Sequence, residues 1–122
     1  MATRQPREQN VHDQEIASLK SANDDKFYVV TNPNQQKNQS VDGYYPDLLL
    51  YSKVDRKTLN NIIEVETDST VTEEHAREQW VPYSQIARRH SAGFYLVVPA
   101  QKVNDAQNIC KKLNISPEIW QY

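Results

Sequence analysis

Pro46-Asp47-Leu48-Leu49-Leu50-Tyr51 and Ile62-Ile63-Glu64-Val65-Glu66-Thr67 are the two stretches whose reading decides the fold. Both have the apolar and β-branched make-up of strands, and both carry acid where a covered strand carries apolar side chains. Side chains alternate faces along a strand, so Glu64 and Glu66 project the same way. Pairing the two stretches as a hairpin about residues 55–57 sets Asp47 opposite Glu64 and Glu66 on one face. Three carboxylates gathered inside one domain repel one another and lose hydration unless a positive charge lies among them. A divalent metal ion is the simplest such charge.

Working outward, Lys26-Phe27-Tyr28-Val29-Val30-Thr31 reads as an earlier strand. Ahead of it, Val11, Ile16, Leu19 and Ala22 recur at roughly helical spacing, which predicts an amphipathic helix over 8–22 behind a frayed polar lead at 1–7. Residues 32–40 hold no apolar side chain except Pro33 and read as a mobile loop. Thr70-Val71-Thr72-Glu73 matches a capping box and opens a helix towards Arg89, with Pro82 kinking or splitting it. Gly93-Phe94-Tyr95-Leu96-Val97-Val98-Pro99 is apolar enough for a strand covered on both faces. A helix over 101–113 and a short tail with Ile119 and Trp120 follow. The order α-β-β-β-α-β-α, with room for one more short strand, predicts an α/β fold of three layers, α-β-α. Its central sheet is mixed and has about four strands.

The bulk composition narrows the class. At 122 residues the chain makes one domain, and 38% hydrophobic with 25% charged residues is the balance of a folded globular protein. A net charge of −2 carries no overall basic signature, which leaves only local patches for binding phosphate. A lone cysteine, Cys110, makes no intramolecular disulfide and favours a reducing interior. The polar start and the lack of a long apolar run point to a soluble, cytoplasmic protein with no membrane partner. There is no glycine-rich phosphate loop, no Ser-His-Asp order and no Cys/His zinc spacing; the chain has only Gly43 and Gly93.

The series Gly43-Tyr44-Tyr45-Pro46-Asp47, then Glu64-x-Glu66, then Gln79-x-x-x-Tyr83 resembles the PD-(D/E)XK nuclease-like superfamily. The Gln-x-x-x-Tyr element is similar to that of its exonuclease-like branch, and the element order agrees over nearly the whole chain. The resemblance implies a restriction-endonuclease-like core, αβββαβ(α). It makes Asp47 and Glu64 ligands of Mg²⁺ or Mn²⁺, with the Val65 carbonyl a third, and it makes Gln79 and Tyr83 lining residues of a catalytic site. Glu66 stands where the pattern has its activating lysine. A glutamate there can bind metal or accept a proton from water, but it supplies no positive charge to a transition state. Two functions follow from the resemblance: a divalent-metal-dependent nuclease cleaving DNA, or a catalytically inactive nuclease-fold module that binds nucleic acid or a protein. Specificity would come from the loop 32–45, a homodimer partner or a larger complex.

Other residues read differently. Arg77 is a candidate to replace the lysine's charge, whereas Lys53 lies too far along its strand. Arg88, Arg89 and His90 form either a phosphate-binding edge or, more simply, a basic helix terminus favoured by the macrodipole. His12 and Glu15 on the first helix are expected in solvent, and His75 has no partner at metal-ligand spacing. Cys110 belongs to a core-facing helix surface. Tyr44 and Tyr45 either stack on a base or pack beneath the sheet.

Overall fold

Five strands form one mixed sheet in the order β1-β2-β3-β4-β5 in the computed structural model, which describes residues 4–33 and 37–122. The strands are β1 (Phe27–Thr31), β2 (Leu48–Ser52), β3 (Leu59–Val65), β4 (Gly93–Val98) and β5 (Glu118–Gln121). β1, β2 and β3 run antiparallel as a meander, while β4 and β5 lie parallel to β3. Parallel neighbours need a crossover, and helices supply both of them. One is the helical run α2 (Glu73–His75), a π-helical segment (Ala76–Trp80) and α3 (Val81–Arg89); the other is α4 (Val103–Leu113). A further helix, α1 (Pro6–Asn23), precedes the sheet.

The alternation along β2 and β3 sorts the core into two halves. Leu49, Tyr51 and Ile62 face Trp80, Tyr83, Ile86, Ala106 and Cys110. Leu48, Leu50, Ile63 and Val65 face Ile16 of α1. Helices therefore cover both faces of the sheet. Cys110 is core, as expected, and burial pushes its thiol up to about 11. Among the described residues no helix is long and apolar enough to cross a membrane.

The structure departs from expectation in four places. The sheet has five strands rather than about four, because the tail 118–121 pairs parallel with β4 and Trp120 lies 4.6 Å from the Tyr95 ring. That strand is half exposed, so its sequence lacks the apolar alternation that marks β2 to β4. The helix after β3 starts later than the Thr70 box implied. The Thr70 hydroxyl instead accepts from Thr67 N in a 3₁₀ turn, and Thr72 Oγ1 caps by accepting from His75 N at 3.2 Å. Pro82 does not split the helical run, which stays right-handed helical through Trp80 and Val81. It follows directly on the π segment, where Val81 N reaches five residues back to Ala76 O and the wider turn accommodates the ring that lacks an N–H. Finally, the expected loop 32–40 is stapled. Asn32 is buried, donates to Gln39 O and Pro46 O, and accepts from the backbone N of Asn38 and Gln39. Residues 34–36 of that loop, and 1–3 of the expected polar lead, lie outside the described residues.

Gly93 is required by close approach, since a Cβ there would lie 2.5 Å from Asn61 Oδ1 on the paired strand. The β2–β3 turn is organised by Asp55, whose carboxylate accepts from Lys57 N, Thr58 N and Thr58 Oγ1 while Arg56 takes a left-handed φ of 58°. The hydroxyl and amide donors hold the Asp55 carboxyl down at about 2, against an ordinary 3.8. A depressed carboxyl adds stability above its unfolded pKa and loses it as pH falls through the folded one. Asp55→Ala is therefore expected to lower the urea midpoint at neutral pH, with the gap to wild type closing between about pH 4 and pH 2.

Candidate functional site

The site begins where β2 begins. Leu48 pairs with Ile63, so the register carries Asp47 opposite Glu64 and Pro46 opposite Val65. Pro46 has no N–H to offer β3, and the ladder stops there. Side chains complete it. Asp47 N donates to Glu64 Oε1 at 3.0 Å, and Val65 N donates to Asp47 Oδ2 at 2.8 Å. The Val65 carbonyl, left without a proline N–H, accepts from the Arg4 guanidinium at 3.1 Å.

Each carboxylate then meets a different neighbour. Asp47 Oδ2 lies 2.9 Å from Nε2 of His12, a fully buried residue of α1 whose Nδ1 is 3.1 Å from Asp13. Burial pulls the His12 imidazole down, but the hydrogen bond and charge of Asp47 outweigh it and its pKa is raised. Glu66 is fully buried just beyond β3. Its Oε2 accepts from Trp80 Nε1 at 2.6 Å and meets His75 Nε2 at 3.1 Å, and its Oε1 lies 3.4 Å from Arg4. His75 and Trp80 are five residues apart, a spacing that an α-helix would place about 140° apart around its axis. The intervening π segment brings them to one carboxylate. Among the described residues no cation is hydrogen-bonded to Glu64, and the charge of Arg4 offsets its burial only in part. Burial, then the charges of Asp47 and Glu66, hold its carboxyl well above the ordinary 4.5.

These groups open onto a cavity of about 310 Å³ lined by Asp47, Glu64, His75, Gln79, Tyr83 and Arg4, with Asn32, Lys37, Gly43, Tyr44 and Tyr45 around its mouth. Of the residues expected at the site, Asp47, Glu64, Gln79 and Tyr83 are brought together there. Glu66 sits behind the lining, held by its partners. Gln79 and Tyr83, four apart, share a helix face. Tyr83 is buried edge-on between Tyr44 and Phe94, and burial drives its hydroxyl far above the ordinary range, so it stays protonated. Tyr44 and Tyr45 are partly exposed on the rim rather than beneath the sheet, and Lys37 Nζ lies 5.4 Å from the Tyr45 ring centre.

Several other expectations are corrected. His12 is not in solvent, because with Ile16 one turn away it lies on the buried face of α1. That i, i+4 pairing was the available signal. His75 does have acidic partners: one ligand atom each from Glu64, Glu66 and His75 lie within 4.8 Å of one another. Their chain separation hid them. The described part of the expected frayed lead, residues 4–7, is ordered: Pro6 and Arg7 open α1, and Arg4 donates to Val65 O and Glu66 Oε1. Arg77 does not replace the lysine; it is exposed and bonded to Glu73. Arg89 and His90 pair with Asp42, while Lys53 donates to Asp24 O and Asp25 O.

Among the described residues, the group placed closely enough to hold a metal ion is Glu64, Glu66 and His75, which does not include Asp47. Without one, Glu64 carries the strain of the cluster. A raised carboxyl favours the fold below its unfolded pKa and loses that contribution as pH rises through the folded value. In chelator, Glu64→Gln keeps an acceptor for Asp47 N and removes a buried charge. Its thermal midpoint is expected to match wild type near pH 4 and to exceed it by about 4 °C, equivalent to about 1 kcal/mol, at neutral pH. Calorimetric melts across pH read this gap.

Searches of family models, of curated proteins and of solved structures each return no match to this chain.

Proposed function

We propose that this chain is a divalent-metal-dependent nuclease of the PD-(D/E)XK type, with a restriction-endonuclease-like core, acting on DNA phosphodiester bonds at Asp47 and Glu64. The observation that supports this most is the joining of Asp47 to Glu64 at the end of the β2–β3 ladder, facing one cavity with Gln79 and Tyr83. The order of helix, three-stranded meander, helical crossover and parallel strand supports it as well. The donor set fits Mg²⁺ or Mn²⁺: hard carboxylate oxygens, one of them on a buried acid whose carboxyl is held well above its ordinary value. Asp47 and Glu64 would hold the ion, which when bound supplies charge neutralisation at the phosphoryl oxygens and an acidified water.

The chain's own groups have separable tasks. His12 and Val65 N fix the Asp47 carboxylate by two hydrogen bonds to one oxygen, leaving its orientation set before substrate arrives. Asp47 N holds Glu64 in the same way. Tyr83 stays protonated and serves as a hydrogen-bond donor, and the Gln79 amide lines the wall where a phosphate or sugar oxygen would lie. A second reading, an inactive module binding nucleic acid, is favoured by Glu66. It occupies the activating lysine's position, and Trp80, His75 and Arg4 already engage it.

Nicking of supercoiled plasmid in Mn²⁺ or Mg²⁺ decides between them. Asp47→Asn and Glu64→Gln are expected to lower turnover by about 100-fold or more while remaining folded. Equal cleavage by wild type and both variants would remove the nuclease reading, and absence of any metal-dependent cleavage would favour the binding module.

A further inference from the structure

A cavity floored by carboxylates must still attract a phosphodiester, and two cations line it: Arg4 and Lys37. Arg4 is the built-in one. Its side chain is only 10% exposed, and its NH2 group spans the Val65 carbonyl at 3.1 Å and Glu66 Oε1 at 3.4 Å. Both acceptors exist for structural reasons already given. Pro46 leaves the Val65 carbonyl without a ladder donor, and Trp80 and His75 pin Glu66 from the far side. The bonds from Glu8 to Ser69 hold the helix start four residues away.

Against this, the Arg4 Nε–H is buried and meets no acceptor among the described residues. Buried N–H groups are rarely left so, and an arginine fork presents Nε–H beside an NH2 group in the geometry that fits two oxygens of one phosphate. The same terminal nitrogen serves Val65 and Glu66, so giving up the Val65 bond alone would free one of its hydrogens, beside Nε–H, for an oxygen in the cavity that Arg4 lines, with the other hydrogen still on Glu66. Lys37, over Tyr45 at the mouth, marks the path by which a charged backbone would continue.

We propose that Arg4, anchored by Glu66, is the phosphate-binding cation of this site and grips the phosphodiester backbone of DNA through its guanidinium fork. The assignment of DNA as ligand rests on the nuclease reading, but the grip does not require turnover. Glu66 is then the anchor of the positive charge, which enters from the segment ahead of α1.

Binding of a fluorescein-labelled DNA oligonucleotide, single-stranded and duplex, is measured by anisotropy in Ca²⁺ over a range of salt. Arg4→Ala is expected to weaken binding about 10-fold and to flatten the slope of log K against log salt by about 0.7 to 0.9, one phosphate contact. Arg4→Lys, which keeps the charge but not the fork, should keep the slope and lose part of the affinity. Glu66→Gln should fall between, and Lys57→Ala in the remote β2–β3 turn should match wild type. Near-ultraviolet circular dichroism verifies that each variant is folded. Unchanged affinity and slope in Arg4→Ala would overturn the proposal. So would tighter Mn²⁺ binding together with tighter DNA binding in that variant, which would make Arg4 an internal plug. Asp47→Asn separates the two claims: loss of its effect on cleavage counts against the nuclease reading and leaves the Arg4 salt slope standing.

Discussion

Repulsion among Asp47, Glu64 and Glu66 is the constraint to which this end of the molecule answers. The three acids are nearly or fully buried, and water screens them little. The fold disperses the charge instead. His12 comes from α1 on one face, His75 and Trp80 from the helical run on the other, and Arg4 from ahead of α1. Glu64 is left between the other two and absorbs the remainder as a raised pKa. Buried carboxylates with a displaced pKa at a cavity wall are more readily explained by chemistry than by stability, because apolar residues would fill the same space with less desolvation.

The backbone irregularities nearby follow from the same arrangement. Pro46 ends the β2–β3 ladder at the level of the acids, which turns the last backbone donor and acceptor of β3 toward side chains. The π segment shifts the helix phase so that His75 and Trp80 converge on Glu66, and α3 resumes with Pro82 in its first turn and Tyr83 beside it. Asn32 binds the loop before Pro46 to the end of β1, and Asp42 of that loop pairs with Arg89 and His90 at the end of α3, so the mouth of the cavity is attached both to the sheet and to the helix. Remote segments thus meet at one strand end, where the side chains of His12, His75, Trp80 and Arg4 engage the carboxylates of Asp47 and Glu66.

Much of the fold was legible along the chain. β2, β3 and β4 are dense in apolar and β-branched residues, and residues that alternate faces are read correctly without any knowledge of neighbours. β5 was not, since an edge strand with one side in water needs no apolar alternation, and its pairing depends on where α4 ends. Asp47 and Glu64 were legible as a pair because their register follows from hairpin pairing alone. His12 was half legible, lying one turn from Ile16 on a buried face. Arg4, His75 and Trp80 were not: they approach Glu66 from segments 62, 9 and 14 residues away, with no shared periodicity.

The sequence by itself determined the order of elements, the meander, the two faces of the sheet and the shared face of Asp47 and Glu64. Those properties follow from local dihedral preference and from side-chain period, which are written in neighbouring residues. The tertiary structure alone decided which cation meets which acid, that Glu66 is held rather than free, and that Arg4 rather than Arg77 reaches the site. Such contacts depend on helix phase and on chain segments closing in space, and the π segment changes that phase without leaving a sequence period to read.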